Sequence, residues 1–307
     1  MALPTFPNSL AEFEQRFSDE EACAAYWAQS RWPDGFVCPR CGREEAFSRP
    51  RRGLLQCKAC GHQTSVTAGT VMPRTRTPLV EWFRAADLMT TLTPGISALQ
   101  LQRQLGLGSY QTAWTILHKL RRATVNPDRD ILRGHVEVDD AYVGGKEEEV
   151  VGRQVETKTP VAVAVEVRGR ASGRLRLRAL QEVSGRSLLP FVRETVEPGS
   201  AVHTDGWSGY EGLAHAGYQH RVRKMSVAKD PSKVLPHAHR ALSNRKAWLL
   251  GTHHGVSPKH LQPYLNEFAF RFNRRRTPMA AFQTLLGIGS RVPTVTYKML
   301  GASELRG

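Results

Sequence analysis

The stretch HVEVDDAYVGG occupies residues 135–145 and decides the fold of the second half of the chain. Its first five positions alternate apolar and polar residues, which is the period of a β-strand with two unlike faces. A carboxylate on such a strand is costly to bury without a partner. Asp139 is therefore a candidate functional group rather than a packing residue.

A second stretch, AVHTDGWSGY at residues 201–210, repeats the arrangement with Asp205 at the end of a short apolar run. Two such carboxylates suggest a shared task such as holding a divalent cation, and oxygen ligands suit magnesium. The alternative for each aspartate is a turn or capping role, because Asp before Gly is a common turn signal. Glu137 shares the face of Asp139 and Asp140 takes the other, so periodicity alone does not choose the ligand.

The charge balance indicates a polyanionic partner. The 307 residues include 43 Lys and Arg against 28 Asp and Glu, a formal net charge of +15 with a pI of about 10.1. Such an excess favours nucleic acid, because bound Lys and Arg release the counterions condensed on it.

No stretch approaches the roughly 20 apolar residues of a membrane span. The N-terminus MALPTFPNSLAEFEQRF lacks a basic region followed by an apolar one, so it does not resemble a secretory signal. We expect a cytoplasmic, nucleoid-associated location and no membrane partner.

Four of the five cysteines form two close pairs, Cys38 with Cys41 and Cys57 with Cys60. Two CxxC turns fifteen residues apart match the spacing of a zinc ribbon. Tetrahedral zinc takes four thiolates, and each turn supplies two of them. We predict a structural Zn²⁺ at these residues.

Residues 78–123 carry helical periodicity interrupted by glycines. ISALQLQRQLGL and SYQTAWTILHKLRRAT are two helices joined by a Gly-containing turn, the second beginning at Ser109, a pattern typical of a helix-turn-helix. Any three-helix bundle also shows it. In a helix-turn-helix the start and the basic end of the second helix contact DNA, which makes the following residues candidate contacts: Ser109, Tyr110, Gln111, Thr112, Lys119, Arg121 and Arg122.

Residues 135–285 change to Val-rich alternation in HVEVDDAYV, PVAVAVEVRG and GRLRLRALQEV, followed by alternating helices and strands. The pattern predicts three antiparallel strands and an α/β domain with a mixed sheet.

HVEVDDAYVGGK, HTDGWSGY, NRKAWLLGTHHGVSPKHLQPYLNEFAFRFNRR and the preceding cysteine unit together resemble the bacterial insertion-sequence transposases of the DDE superfamily, in the family numbered fifteen-ninety-five. The resemblance runs from about residue 20 to about residue 285. It implies an RNase H-like, integrase-like catalytic domain that cleaves transposon ends and joins them to target DNA with Mg²⁺ or Mn²⁺. In such a sheet the first strand is central and the fourth lies beside it, which would bring Asp139 and Asp205 together.

The resemblance also implies a third ligand on a later helix, which is Glu, Asn or His in the family and is followed by Lys seven residues later. His239 and Lys246 fit that spacing, and seven residues are about two helical turns, so both lie on one face. Imidazole is a weaker magnesium ligand than carboxylate. The alternative to direct ligation is therefore that His239 acts through water or as a general base. Asn244 and Glu267 are the other candidates for this position.

The run RFNRRRTP is a candidate phosphate-binding segment through Arg271, Arg274 and Arg275. The ordinary alternative is a solvated charge run. Glu267 precedes Arg271 by four residues and could simply pair with it.

These observations predict a multi-domain α/β protein: N-terminal helices at 1–35, a zinc ribbon at 36–72, a helix-turn-helix at 76–126, an RNase H-like catalytic domain at 132–285 and a tail at 286–307. The predicted function is a DNA transposase acting on double-stranded DNA as a homodimer or higher assembly. The alternatives are a non-catalytic DNA-binding regulator and a metal-dependent nuclease without strand transfer.

Overall fold

The computed structural model describes residues 5–49, 53–144, 158–223 and 234–301. Residues 302–307 of the predicted tail lie outside the described residues. The chain divides into two compact units, the first formed by Met1–Asn126 with Arg274–Ala302 and the second by Pro127–Asn273 with Ser303–Gly307. No helix in the described part of the chain combines the length and the apolar character that a membrane crossing requires.

The helices follow in chain order as α1 (Leu10–Arg16), α2 (Glu20–Arg31), α3 (Leu79–Thr91), α4 (Ala98–Leu105), α5 (Tyr110–Arg122), α6 (Gly185–Thr195), α7 (Pro236–Trp248), α8 (Leu261–Asn273), α9 (Pro278–Gly289) and α10 (Tyr297–Gly301). The strands are β1 (Ala46–Arg49), β2 (Leu54–Cys57), β3 (Gln63–Ser65), β4 (His135–Val143), β5 (Thr159–Arg168), β6 (Ala171–Ala179), β7 (Ala201–Thr204) and β8 (Gln219–Val222).

Aromatic rings form the core of the first unit. The ring of Phe17 lies 4.9 Å from that of Phe83 and 5.0 Å from that of Tyr26, centroid to centroid. Phe282 of α9 lies 5.5 Å from Phe13 and 5.9 Å from Phe83. Edge-on pairs of this kind contribute about 0.5–1.5 kcal/mol each beyond the area they bury. Helix α9 is therefore part of the same core as the N-terminal helices.

The C-terminal boundary differs from the one proposed from sequence. The predicted catalytic domain runs to residue 285, whereas the second unit ends at Asn273 and both α9 and α10 lie in the first unit. The contact is close, because the backbone N–H of Val71 donates to the carbonyl of Gly289 at 3.2 Å. A Cβ on Gly289 would lie 3.2 Å from Val71 and 3.4 Å from Trp27, so only glycine fits without displacement.

The predicted pair of helices is present as α4 and α5. Helix α4 ends at Leu105 and is capped by Gly106, which adopts a left-handed conformation with φ of 61°. Ser109 caps α5, because its hydroxyl accepts a hydrogen bond from the backbone N–H of Thr112 at 3.1 Å. The DNA-binding role of this pair stays a prediction.

The sheet of the second unit has the strand order β6-β5-β4-β7-β8. β4 and β5 are antiparallel, as are β5 and β6, while β7 runs parallel to β4 and β8 parallel to β7. The mixed sheet expected from sequence, with its first strand central and its fourth strand beside it, is confirmed. The multi-domain α/β fold class is confirmed with it.

The two faces of β4 meet different layers. Val136 and Val138 are fully buried in a core that includes Phe191 of α6. The opposite face of the sheet forms a second core with α7 and α8, in which Val163 of β5 and Leu242 of α7 take part. Because side chains alternate along a strand, Glu137 and Asp139 lie on the α7 face.

A buried ion pair joins β5 to β6. Glu166 is 2% exposed and accepts from Arg174 at 3.1 Å from Nε and 2.6 Å from Nη2. The backbone N–H of Arg133 donates to the same carboxylate at 3.1 Å. Burial acts to raise the pKa of Glu166, but the hydrogen bonds from Arg174 and Arg133 outweigh it and lower that pKa to about 2.

We expect Glu166→Gln to lower the free energy of unfolding of the second unit at pH 7 by about 1.5–3 kcal/mol, the usual contribution of a hydrogen bond to a charged group. A lowered carboxylate pKa stabilises the fold above the unfolded value of 4.5, and that contribution is lost as the pH falls towards 2. The difference between wild type and variant should therefore shrink over that interval, as measured by hydrogen exchange of β5 amides in the full chain.

Glu194→Gln is the matched control, because Glu194 pairs with Arg178 but its side chain is 57% exposed. An exposed pair contributes less than about 1 kcal/mol. Equal losses in the two variants, or a Glu166→Gln difference that does not change with pH, would contradict the assignment.

Candidate active site and metal centre

Asp139 lies in the middle of the central strand β4 and is 8% exposed. One carboxylate oxygen accepts from the backbone N–H of Asp140 at 2.9 Å. The other lies 3.3 Å from Nε2 of His239 on α7. Among the described residues, His239 is the side chain that pairs with Asp139, and no Lys or Arg neutralises it.

His239 is about one-third exposed, so one side of the ring meets Asp139 and the other meets solvent. The hydrogen bond to Asp139 raises the pKa of His239 above its ordinary value of 6.5, and burial opposes the rise only in part. The charges of Asp139, Glu137 and Asp205 act in the same direction. The surroundings of His239 therefore favour its protonated form.

Glu137 positions the helix that carries His239. Its carboxylate is 3% exposed and accepts from the backbone N–H groups of His237 at 2.7 Å and Ala238 at 2.9 Å. Helix α7 begins at Pro236 without a side-chain cap, so these N–H groups have no partner within the helix itself. The negative charge also matches the positive end of the helix dipole.

Sequence reasoning missed this role of Glu137. The sequence feature that could have revealed it is a helix that begins at Pro236 after Leu235, with no Ser, Thr, Asp or Asn to cap it. Such a helix start needs a partner from elsewhere in the chain. Leu235 adopts a left-handed conformation with φ of 49°, which is strained for a non-glycine residue. The two hydrogen bonds to Glu137 compensate at this helix start.

Asp205 follows β7 directly and is half-buried. Its carboxylate accepts from the backbone N–H of Trp207 at 3.0 Å, which is the turn role considered as its alternative. The same carboxylate contributes to the raised pKa values of His239 and Tyr210. Because β7 lies beside β4, Asp205 shares one electrostatic environment with Asp139.

Asp140 lies on the opposite face of β4. Its carboxylate accepts from the hydroxyl of Tyr210 at 3.2 Å, and Tyr210 belongs to the core around α6. Burial, followed by the charges of Asp140, Asp139 and Asp205, raises the pKa of Tyr210 well above 10.0. Tyr210 therefore stays a neutral hydrogen-bond donor.

The donor set on the α7 face fits a hard divalent cation, since it offers carboxylate oxygens from Asp139 and Asp205 beside the imidazole of His239. Among the described residues, only the four cysteines bring at least three candidate ligand atoms within 4.8 Å of one another. The carboxylate site is thus less closely assembled than the cysteine site.

The remaining candidates on α7 and α8 differ in exposure. Lys246 and Asn244 are both exposed on α7. Glu267 on α8 is completely buried, and its charge acts on Arg271 four residues later. The guanidinium of Arg271 lies 6.0 Å from the ring centre of Trp248, so packing accounts for part of its position.

The other predicted DNA contacts lie in the first unit. Tyr110 is 53% exposed, and Ser109 and Gln111 are exposed with it at the start of α5. Arg275 is exposed, whereas Arg274 is half-buried, and burial lowers the pKa of both.

Towards its end, α5 turns part of its basic segment inward. Lys119 and Arg122 are half-buried. Arg121 is only 1% exposed, so the DNA contact proposed for it does not fit the structure. The helical period places Arg121 on the same inward face as Leu117 and Leu120.

The four cysteines form a cluster at the zinc ribbon. Sγ of Cys38 lies 3.7 Å from that of Cys60, and Sγ of Cys41 lies 3.6 Å from that of Cys57. Tetrahedral zinc with bonds of about 2.3 Å separates neighbouring sulfurs by about 3.8 Å. Gly42 follows the first pair with φ of 72°, a left-handed turn that glycine allows. The cluster supports a structural Zn²⁺.

Two family models match the chain. The model described as "ISXO2-like transposase domain" matches residues 131–273, which is nearly the whole of the second unit. The model described as "Transposase zinc-ribbon domain" matches residues 18–63, which include all four cysteines of the cluster. The chain belongs to this transposase family, that of IS1595. No curated protein matches the transposase.

Membership makes the chain a DDE-family transposase, a nucleic-acid-processing enzyme whose domains imply DNA binding. The family and the zinc ribbon predicted from the sequence are both confirmed.

We expect Cys57→Ser to remove zinc from this transposase, because three thiolates and a hydroxyl no longer complete the tetrahedral set. The ribbon should lose hydrogen-exchange protection in β2 and β3, since a site of this kind supplies much of the stability of a small module. Zinc content is measured by metal analysis of the purified chain. Cys23→Ser is the control: Cys23 is buried outside the cluster and its variant should keep one zinc.

Replacement of Glu137 tests the helix start. Glu137→Ala should lower hydrogen-exchange protection of the His237 and Ala238 amides by about 10-fold or more, because two hydrogen bonds to a charged group are lost. Glu137→Gln retains a carbonyl oxygen and should keep most of the protection. Equal protection in wild type and Glu137→Ala would show that α7 does not depend on this carboxylate.

Proposed function

We propose that this transposase hydrolyses a phosphodiester at the ends of its element to release a 3′-hydroxyl and then joins that hydroxyl to target DNA in the same site. The observation that carries the proposal is Asp139, a nearly buried strand carboxylate that faces His239 and has no Lys or Arg partner in the described residues. The family match supplies the class of reaction.

Asp139 and Asp205 are proposed to hold Mg²⁺ or Mn²⁺. When bound, a pair of such ions activates the attacking oxygen and stabilises the leaving one in an in-line displacement at phosphorus. In the first step water supplies the new oxygen, the bond from phosphorus to the 3′ oxygen breaks, and that oxygen takes up a proton. In the second step the 3′-hydroxyl attacks and loses its proton, while a target 3′ oxygen leaves.

His239 is proposed as the third group of the site. Its Nε2 lies 3.3 Å from the Asp139 carboxylate, and an imidazole in that position can give a proton to a leaving oxygen or accept one from an attacking hydroxyl. Lys246, seven residues later on α7, is proposed to contact a DNA phosphate, since it is exposed on the same side of the helix. Asn244 and Glu267 are weaker candidates, because the first is exposed and the second is buried beside Arg271.

Recognition of the element ends is proposed to fall to the first unit through the zinc ribbon and the α4–α5 pair. Ser109, Tyr110 and Gln111 are the proposed contacts at the start of α5. Arg271, Arg274 and Arg275 are proposed phosphate contacts. Two ends must be held together for transposition, so we also propose that the active form is a dimer or a higher assembly.

The test is a cleavage and strand-transfer assay on labelled DNA carrying the ends of the encoding element, with Mg²⁺ or Mn²⁺. Asp139→Asn and Asp205→Asn should each lower cutting and joining by at least about 100-fold, because even residues behind metal ligands cost about 10–100-fold when removed. End binding, measured by fluorescence anisotropy, should stay within a few-fold of wild type.

Asp140→Asn is the matched control, because it makes the same carboxylate-to-amide change at the next residue and its amide oxygen can still accept from Tyr210. It should retain cutting. End binding by wild type without cutting in either metal would favour a DNA-binding regulator. Cutting without joined products would favour a nuclease.

A further inference from the structure

A cleft of about 370 Å³ opens along the polar face of α5 in the first unit. Its floor is formed by residues one helical turn apart, including Thr112, Thr115 and Lys119. The loop 73–77, Trp82 of α3 and Tyr297 of α10 also line it. The cleft brings this face of α5 together with two segments that are distant in the chain.

The loop wall is held in place by hydrogen bonds. Nε1 of Trp82 donates to the hydroxyl of Thr75 at 2.9 Å, and that hydroxyl donates to the carbonyl of Thr77 at 3.1 Å. Arg74 adopts a left-handed conformation with φ of 46°, which is uncommon for a residue with a Cβ. Such conformations persist where the surrounding structure maintains them, so the hydrogen bonds of Thr75 help to hold the backbone at Arg74 beside the cleft.

The charge in the cleft has one sign. Arg74 and Lys119 both line it, and no Asp or Glu does so among the described residues. Neither cation has an ion-pair partner in the part of the chain that the structure describes. The Lys119 amino group lies 5.9 Å from the ring centre of Trp82, and its burial lowers the pKa of the ammonium group. An anion in the cleft would offset that cost of burial.

Size and chemistry together select the ligand. A space of about 370 Å³ is at the small end of pockets for single small molecules and suits one nucleotide-sized group. Two cations and several hydroxyls favour a phosphate over a base edge.

We propose that this cleft seats one phosphodiester of the bound DNA backbone between Arg74 and Lys119. The assignment rests on the proposed function, because it takes DNA to be the ligand of this chain. It gives Arg74 and Lys119 a positioning role that is independent of base sequence, and it adds the loop 73–77 to the DNA-binding surface.

The experiment measures binding of full-length protein to fluorescent duplexes, one with the element end and one of unrelated sequence, over a range of salt concentrations. Arg74→Gln and Lys119→Gln should each make the slope of log K against log salt concentration shallower by about 0.9, the value for one neutralised phosphate. Each variant should weaken binding to both duplexes by the same factor, since a phosphate contact carries no sequence information.

Arg84→Gln is the control of equal charge change. Arg84 lies on α3 outside the cleft and already pairs with Glu81 at 3.1 Å, so its loss should leave the slope unchanged. Thermal unfolding is measured for every variant. Arg74 is exposed, so Arg74→Gln keeps the test valid even where Lys119→Gln destabilises the first unit.

Unchanged slopes in folded Arg74→Gln and Lys119→Gln would overturn the proposal. A loss confined to the element-end duplex would also overturn it, in favour of base recognition by this cleft. Wild-type protein that binds neither duplex would instead refute the proposed function, which separates the two failures.

Discussion

The second unit depends on the hydrogen bonds between the Glu137 carboxylate of β4 and the first two backbone N–H groups of α7. Glu137 and Asp139 are two residues apart on one strand, so they share a face of the sheet. The hydrogen bonds to His237 and Ala238 hold the start of α7 against that face, and His239 is the next residue along the helix. The contact between His239 and Asp139 therefore follows from the way the helix is capped.

The two faces of β4 have different surroundings. Its valines pack under α6 in an apolar core, whereas its acidic residues on the other face meet the more polar start of α7. Glu166 on β5 shows what a purely structural carboxylate looks like in this unit. Arginine and backbone donors surround it and lower its pKa to about 2. Asp139 accepts from one backbone N–H and faces His239, with no arginine partner among the described residues, so the two carboxylates differ in environment rather than in burial.

The first unit combines elements from both ends of the chain. Phe282 of α9 packs against Phe13 and Phe83, and Tyr297 of α10 lines the cleft beside α5. The unit that contains the zinc ribbon and the α4–α5 pair thus depends on the last helices in the sequence. Truncation of α9 would expose the aromatic core of the first unit.

Local sequence patterns by themselves determined much of this protein. The two CxxC turns identify the zinc site because thiolate ligands come in fixed short spacings, and the Val alternation identifies β4 and β5 because the strand period is two. The motifs around Asp139 and Asp205 are also local in sequence, and together with the cysteine pairs they carry the resemblance to the family. Tertiary structure alone decided which residues meet across long stretches of chain. Examples are Glu137 at the start of α7, α9 in the N-terminal core, Arg121 turned inward, and Arg74 and Lys119 in one cleft. The sequence of a helix predicts that it has an apolar face. It does not predict which of two cores that face packs against, because both cores offer the same kind of apolar surface.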